Sequence, residues 1–596
     1  MAGKTQDTYH YTLLPMSFRV AELLPGKPGD PISCQLHEVE WSNIPQYEAL
    51  SYAWGDPDDK LPIVIHDKRL EITKSLHVAL THLRYEDKAR LLWADALCIN
   101  QADIPERGAQ VRQMRRIFES AETIVLWLGP DESNKASPAM FAIDQIADFL
   151  CQKLNISLSD VAEEPDVYTN ILFRNKDKIP LPHECDFVTD QMWDALLWLY
   201  KHAVFTRVWI IQEINAGKSR IVYSGHQTCS WDALELVAGY IVLETAFSKS
   251  RGFTDAYCWW ASTLSSDMPK EKNWLHMLYL ASNFSATDPR DVIYGLRGMI
   301  KCDDGGWLLD PDYSKTTVDV YRDSVEAAFI NFKNTNALLY VHGTERPSWI
   351  PRWDQPMLFR NPFRFGRGLP WRPAGDSEPK WKIDRERNVL SLRGFKIAVV
   401  ETSETYVETL FGNAMMESDE GKEKLRGAWS DILDSMARGA NQSLPFDSGT
   451  LASAAVSFSF GLDDKCNPAD EQLLFHNFVA YLRCVLDEDT YYRYVSPETT
   501  KECRDGIASS FGKPVWDFEY PEASFFTAVN KTGETYIGCC IAPTQRADIV
   551  FVPYGSVYPI VLRPEGSRFS IRGFCFIHGV MRGEIRDEAE VVVDCV

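Results

Sequence analysis

The sequence predicts an α/β chain. A doubly wound parallel sheet occupies the N-terminal part, a helical stretch follows, and a mixed α+β region ends in a small antiparallel sheet or barrel. Three observations predict this. From Glu48 onward, short apolar runs alternate with helical patterns over about 80 residues, which implies βαβ units joined by right-handed crossovers. Helical periodicity dominates residues 250–335. Residues 523–596 read as about six short apolar runs broken by turns.

In chain order, residues 16–45 read as extended pieces around turns such as "LLPGKPGDP". "EALSYAWG" (48–55) is a first strand, closed by the turn cluster Gly-Asp-Pro-Asp-Asp. "SLHVALTHLRYED" (75–87) places Leu76, Ala79, Leu80 and Leu83 at helical spacing. "RLLWADALCI" (90–99) reads as a buried strand. A helix then starts at Asp103, a capping residue, with Pro105 in the first turn and Glu106 three after the cap. Val111, Met114, Ile117, Phe118 and Ala121 form its apolar face; Arg107, Arg112, Arg115 and Arg116 lie mostly off it. "ETIVLWLGP" (122–130) is the third strand. Helices around the polar loop "FRNKDKIPLPHECD" fill 136–200. "RVWIIQEI" (207–214) is a short helix, "SRIVYSG" a strand, and a further helix begins at Trp231. "DPRDVIYGLRGMI" (288–300) and residues 316–332 are helical, and "RPSWIPRWDQP" (346–356) reads as a Pro/Trp-rich link. "KWKIDRERNVLSLRGFKIAVVE" alternates like a hairpin, and helices are predicted over 419–437 and 469–488. These patterns divide the chain into a β extension (1–46), an α/β domain (47–250), a helical extension (251–375) and an α+β region (376–596) with its β-rich tail (523–596).

Bulk properties narrow the function. At 596 residues, 45% apolar and 24% charged, the chain is an ordinary globular composition, too long for one core. A formal charge of −22 argues against non-specific attraction to nucleic acid. The 14 cysteines show no zinc-like spacing and suit buried free thiols in a reducing compartment, so no metal site is expected. No secretory signal or long apolar run is found, which predicts a cytoplasmic protein without a membrane span. No phosphate-loop, nucleophile-elbow, zinc-protease, calcium-loop or dinucleotide fingerprint occurs, and no cofactor is called for.

Parallel sheets bind ligands outside the C-terminal ends of their strands. Those ends carry "SYAWGDPDD", "ADALCINQAD" and "WLGPDES". Ser51, Trp54 and Gly55 end the first strand, with Gly allowing close backbone approach to a phosphate or ribose. Asp95, Asn100 and Gln101 could reach the same mouth, although such residues equally satisfy loop backbone. Arg107 and Arg112 could bind phosphate or simply be solvated. Cys98 reads as an inert core thiol. Trp209 and Glu213, one helical turn apart, share a face. An acid beside an apolar turn is either a solvated helix end or a working group beside a pocket.

Four blocks together resemble the fungal heterokaryon incompatibility (HET) domain family: "YEALSYAWGDPDD" (47–59), "LLWADALCINQADIPERGAQVRQM" (91–114), "AETIVLWLG" (121–129) and "FTRVWIIQE" (205–213). Downstream, "ATDPRDVIYGLRGM", "LDPDYSKTTVDVY" and "PIVLR…GFCFIHGVMRGE" are similar to the extended regions of such proteins. The resemblance implies fungal non-self recognition leading to programmed cell death, with an incompatibility partner and self-association. More distantly, the order of parts resembles the TIR domain, which implies a TIR/flavodoxin-like sheet. Enzymatic TIR domains cleave NAD at the nicotinamide–ribose bond with a glutamate spaced from a tryptophan as Glu213 is from Trp209. By that analogy Glu213 is the catalytic residue, NAD the substrate, and Trp209 stacks on a flat ring or sugar. The competing expectation is an interaction module that signals by association, without chemistry; a third is a scaffold whose domain has decayed.

Overall fold

The computed structural model describes residues 8–12, 17–164, 167–217, 219–253, 273–341, 345–357, 370–406, 418–463, 467–511, 522–585 and 589–596. The chain forms two compact units, one of residues 1–301 and 310–316, the other of 302–309 and 317–596.

The first unit is built on a nine-stranded sheet. Its strands are β1 (Phe18–Leu23), β2 (Ser33–Val39), β3 (Glu48–Tyr52), β4 (Lys60–Ile65), β5 (Lys68–Thr73), β6 (Arg90–Trp93), β7 (Thr123–Trp127), β8 (Arg220–Ser224) and β9 (Gln227–Ser230). They lie in the order β5-β4-β2-β1-β6-β3-β7-β8-β9. The predicted strands at 48, 90 and 122 do pair in parallel, with β3 between β6 and β7 and β8 parallel beyond β7. The chain leaves β3 for one neighbour and then crosses to the other, so the C-terminal end of β3 is a topological switch point.

The sheet is mixed rather than wholly parallel, which corrects the doubly wound parallel expectation. The extended N-terminal pieces form the antiparallel pair β1–β2, and β1 zips onto β6 with Ala21 opposite Leu92. The β4–β5 hairpin, absent from the sequence reading, turns on His66 and Asp67, both at positive φ (47° and 63°). A two-residue turn of that hand fits strand twist, but His-Asp is not the glycine-bearing signal that announces one. The predicted strand 90–99 stops at Trp93. Asp95 then opens a helical turn, Asp95–Cys98, and its carboxylate accepts the Ala96 N–H at 2.7 Å.

The helix Ile104–Ser120 forms as expected: Asp103 accepts the Glu106 N–H at 3.0 Å, and Met114, Ile117 and Phe118 are buried. Helices Ala136–Leu154, Asp190–Tyr200 and Val208–Ala216 connect β7 to β8, and Trp231–Val242 follows β9.

The second unit joins helices to a closed sheet. β10 (Trp381–Asp384) and the long β11 (Val389–Tyr406) make the predicted hairpin. The tail supplies β12 (Ala523–Val529), β13 (Thr535–Cys540), β14 (Ile549–Pro553), β15 (Ile560–Glu565), β16 (Arg568–Ile577) and β17 (Glu590–Cys595). β11 pairs with β12 through residues 399–406 and with β14 through residues 394–399. The path β11-β12-β13-β16-β15-β14 therefore returns to β11 and closes a barrel. Irregular registers at Lys396/Ala398 and Val400/Thr402 accompany this change of partner along β11. Ile397, Val400, Phe526, Val550, Val561 and Cys575 belong to one buried cluster of the unit. Helices Asp419–Ala440 and Glu471–Val485 match the sequence reading; Thr317–Phe332 and Ser448–Phe458 lie in the same unit. Residues 346–356 are packed as core rather than strung as a link: Trp349 and Trp353 are fully buried, with their indole N–H groups donating to Asn388 O and Ser324 Oγ at 3.0 Å each.

Among the described residues no helix is long and apolar enough to cross a membrane. The described cysteines are all free, and burial pushes the Cys98 thiol up to about 12.

Candidate functional site

The site is assembled at the switch point from the ends of β3 and β6 and the short helix Val208–Ala216. Ser51 occupies the penultimate position of β3, opposite Leu126 of β7. Its alternation points the hydroxyl out of the sheet, where it donates to Glu213 Oε2. Glu213 lies one turn from the end of its helix, and Ile210, Ile211 and Ile214 around it are buried. Its own exposure is 2%, so it is neither a solvated helix end nor a surface acid. Burial pushes its carboxyl above the ordinary range. Arg207 and the Ser51 hydroxyl oppose that shift, and Asp95 adds to it.

Arg207, just before the helix, is the positive group of the site. Its Nη1 stands 3.8 Å from Glu213 Oε2 and has no hydrogen-bond partner among the described residues. Its charge also acts on Asp95, whose carboxyl burial has raised. Asp95 accepts the Trp54 indole N–H at 2.8 Å. Tyr52 is buried beside it, and its phenol is pushed well above the usual value by burial and then by that carboxylate. A buried acid, Glu213, and a partly buried one, Asp95, thus face one cation: desolvation raises both proton affinities, Arg207 opposes both, and the two acids are mutually dependent.

Of the residues singled out from sequence, Ser51, Trp54, Asp95 and Glu213 are brought together. Gly55 sits at φ 72°, and a Cβ there would lie 3.3 Å from Ser75 Cβ, so the turn itself needs the glycine. Gln101 braces the Asp95 loop by donating to Asp95 O at 2.9 Å. Asn100 serves its own turn: its side chain accepts the Ala102 N–H and its backbone N–H goes to Glu106. The third loop, "WLGPDES", is spent on a helix start, where Asp131 accepts the Lys135 and Ala136 N–H groups.

Trp209 faces a different partner. Its indole N–H donates to Asp291 Oδ2 at 3.1 Å, and a Cβ on Gly295 would lie 3.4 Å from its ring. Asp291 also accepts the Tyr313 hydroxyl at 2.8 Å, and Arg107 stacks on Tyr313 at 3.7 Å. Burial raises the Asp291 carboxyl to about 6. Residues 285–298 hold the Glu213 helix at several further points: Ser285 O accepts the Val208 N–H at 3.0 Å, and the Gly298 N–H donates to Gln212 Oε1 at 3.2 Å. The remaining arginines of the helix Ile104–Ser120 also have partners. Arg112 lies 3.9 Å from Asp310, Arg115 2.6 Å from Glu119, and Arg116 covers the Trp41 ring.

Sequence reasoning missed Arg207, Tyr52 and Asp291. Arg207 and Tyr52 stand inside quoted blocks, two residues from Trp209 and two from Trp54. Asp291 lies in "ATDPRDVIYGLRGM", but its partner is 82 residues away in sequence.

Residues 47–213 match the family model described as heterokaryon incompatibility protein (HET). Over 657 aligned residues the chain is 25% identical to "Heterokaryon incompatibility protein 6, OR allele" of Neurospora crassa, covering 94% of this chain and 93% of that relative. No solved structure matches.

Proposed function

We propose that residues 47–213, which match the HET family model, act as a HET domain, and that the chain acts in fungal heterokaryon incompatibility, driving programmed cell death by cleaving NAD at its nicotinamide–ribose bond. The incompatibility role is supported by the full-length relationship to the Neurospora protein. The parallel order, with the first strand flanked by the second and third and the fourth beyond, supports a TIR/flavodoxin-like reading of the sheet.

The observation that carries the chemistry is Glu213, a buried carboxylate fixed by Ser51 at the switch point. Leaving of nicotinamide builds positive charge on the ribose, and a carboxylate in a low-dielectric setting stabilises that charge more than it would in water. Water then adds to the anomeric carbon, giving ADP-ribose, nicotinamide and a proton. Arg207, 3.8 Å from Glu213, opposes the rise in its proton affinity, and its Nη1 is available to an anionic part of the substrate. Asp95, which accepts the Trp54 indole N–H, acts on the same acid through its charge. The test is incubation of purified protein with NAD and measurement of released nicotinamide, wild type against Glu213→Gln. Activity that survives the substitution moves the chemistry elsewhere.

One observation favours the second reading, an interaction module that signals by self-association or partner binding. Glu213 is 2% exposed, so a substrate reaches it only if the neighbouring loops part. Under that reading no assembly state releases nicotinamide, and Glu213→Gln alters stability alone.

A further inference from the structure

The second unit holds a cavity of about 980 Å³ that plays no part in the proposal above. Its walls come from the end of helix Asp419–Ala440, the start of helix Ser448–Phe458, the β12–β13 turn and the residues after β16. Asp447, Glu534 and Glu584 line it, and no Lys or Arg is among its described lining residues.

Ser453 stands on this wall, on the helix Ser448–Phe458. A serine inside a helix commonly returns its hydroxyl to the carbonyl four residues back. Ser430 does so onto Arg426 O at 3.0 Å and Ser459 onto Ala455 O at 2.8 Å. Ser453 turns instead to His578, with Oγ 3.1 Å from Nδ1. The other ring nitrogen, Nε2, stands 3.2 Å from Glu471 Oε2, and Arg582 holds the second Glu471 oxygen at 3.0 Å. Glu471 can accept only from an Nε2–H, and in the neutral ring that tautomer turns the Nδ1 lone pair to the serine hydroxyl. Hydroxyl, base and orienting acid are then in sequence within hydrogen-bond reach, at the edge of a cavity that can hold a substrate.

We propose that Ser453 and His578 are catalytic residues of an acyl-ester hydrolase site in the C-terminal unit, with Glu471 as the positioning residue. Ser453 Oγ bonds to the ester carbonyl carbon while its proton passes to His578 Nδ1. The bond to the leaving alcohol breaks, and the alcohol takes that proton. Water, deprotonated by His578, then attacks the acyl-serine and releases the carboxylic acid, restoring the hydroxyl. The three carboxylates repel anionic acyl donors, so the substrate class is a neutral or cationic ester.

The experiment treats the full chain with an alkyl fluorophosphonate probe and locates the adduct by peptide mass spectrometry, with hydrolysis of p-nitrophenyl acetate followed in parallel. The expected result is an adduct on Ser453 and ester hydrolysis lost in Ser453→Ala. Labelling falls about 100-fold in His578→Gln, while the melting temperature of each variant stays at the wild-type value. Glu471→Gln still accepts the Nε2–H and labels at an intermediate rate; Glu471→Ala, which cannot, labels more slowly. The ranking separates positioning from bulk structure. Absence of a Ser453 adduct, or labelling of His578→Gln or Glu471→Ala at the wild-type rate, overturns the proposal.

Discussion

Glu213 reaches its setting through three neighbours of different kinds: a strand serine that donates to it, an arginine that offsets its charge, and a second acid that raises its proton affinity. Asp95 and Asp291 share the same direction of shift, each chiefly from burial. The consequence for stability has a definite sign. The unfolded chain releases these protons near pH 4, and the folded chain holds them to higher pH. In that interval the unfolded state binds fewer protons, so stability is lost as pH rises. For Asp291, held at about 6, the loss runs from about pH 4 to about pH 6 and is complete above that. Asp291→Asn removes this titration. The unfolding free energy of Asp291→Asn minus that of wild type, from urea titrations, is predicted to climb by about 2–3 kcal/mol across that window and then level off. A difference that does not change with pH contradicts the burial of this carboxylate.

At the scale of elements, the helix Val208–Ala216 cannot be understood from its own sequence. It is short, and isolated short helices are marginal in water. Its position is set by residues 285–298, which reach Val208, Trp209 and Gln212. Close approach is possible because position 298 lacks a side chain: a Cβ there would lie 2.4 Å from Gln212 Oε1 and 2.6 Å from Arg115 Cβ. Gly298→Ala is therefore predicted to destabilise the first unit by about 1–3 kcal/mol and to increase amide hydrogen exchange in residues 205–216, with exchange in β12–β16 unchanged. Uniform exchange across both regions would show that 285–298 does not hold this helix.

The same comparison explains what was legible in the sequence. Local signals carried through: the Asp103 cap, the apolar runs of β3 and β7, and the alternation of β10–β17 each record their structure within a few residues. The β1–β2 pair and the β4–β5 hairpin were not assigned to the sheet, because the first lies in turn-rich sequence and the second turns on His66–Asp67. For the site, residue types at strand ends pointed to Ser51, Trp54 and Asp95. Nothing local could say that Trp209 would turn to Asp291, or that Asn100 and Gln101 would serve their own loop. Those outcomes depend on partners distant in sequence.

For the whole molecule, the region matched by the family model is smaller than the structural unit that contains it. Residues 47–213 omit β1, which borders β6, and β2, which joins β1 to β4; they omit β8 and β9, which extend the sheet beyond β7, and the 285–298 segment. A fragment of 47–213 would expose strand edges and the face of the Glu213 helix that 285–298 covers. Such a fragment is predicted to lack a cooperative thermal transition by circular dichroism and to aggregate, whereas the full chain unfolds cooperatively. A folded, monomeric 47–213 fragment would contradict the role assigned to the flanking strands.

The central claim, that Glu213 is a working acid, is tested most directly by nicotinamide release from NAD with the full chain, measured in its monomeric and associated fractions for wild type, Glu213→Gln and Ser51→Ala. The account predicts release by wild type in at least one fraction, loss of about 100-fold or more in Glu213→Gln, and a smaller loss in Ser51→Ala, whose carboxylate keeps Arg207 but loses its hydroxyl donor. Release at the wild-type rate by Glu213→Gln, or no release by wild type in either fraction, contradicts it.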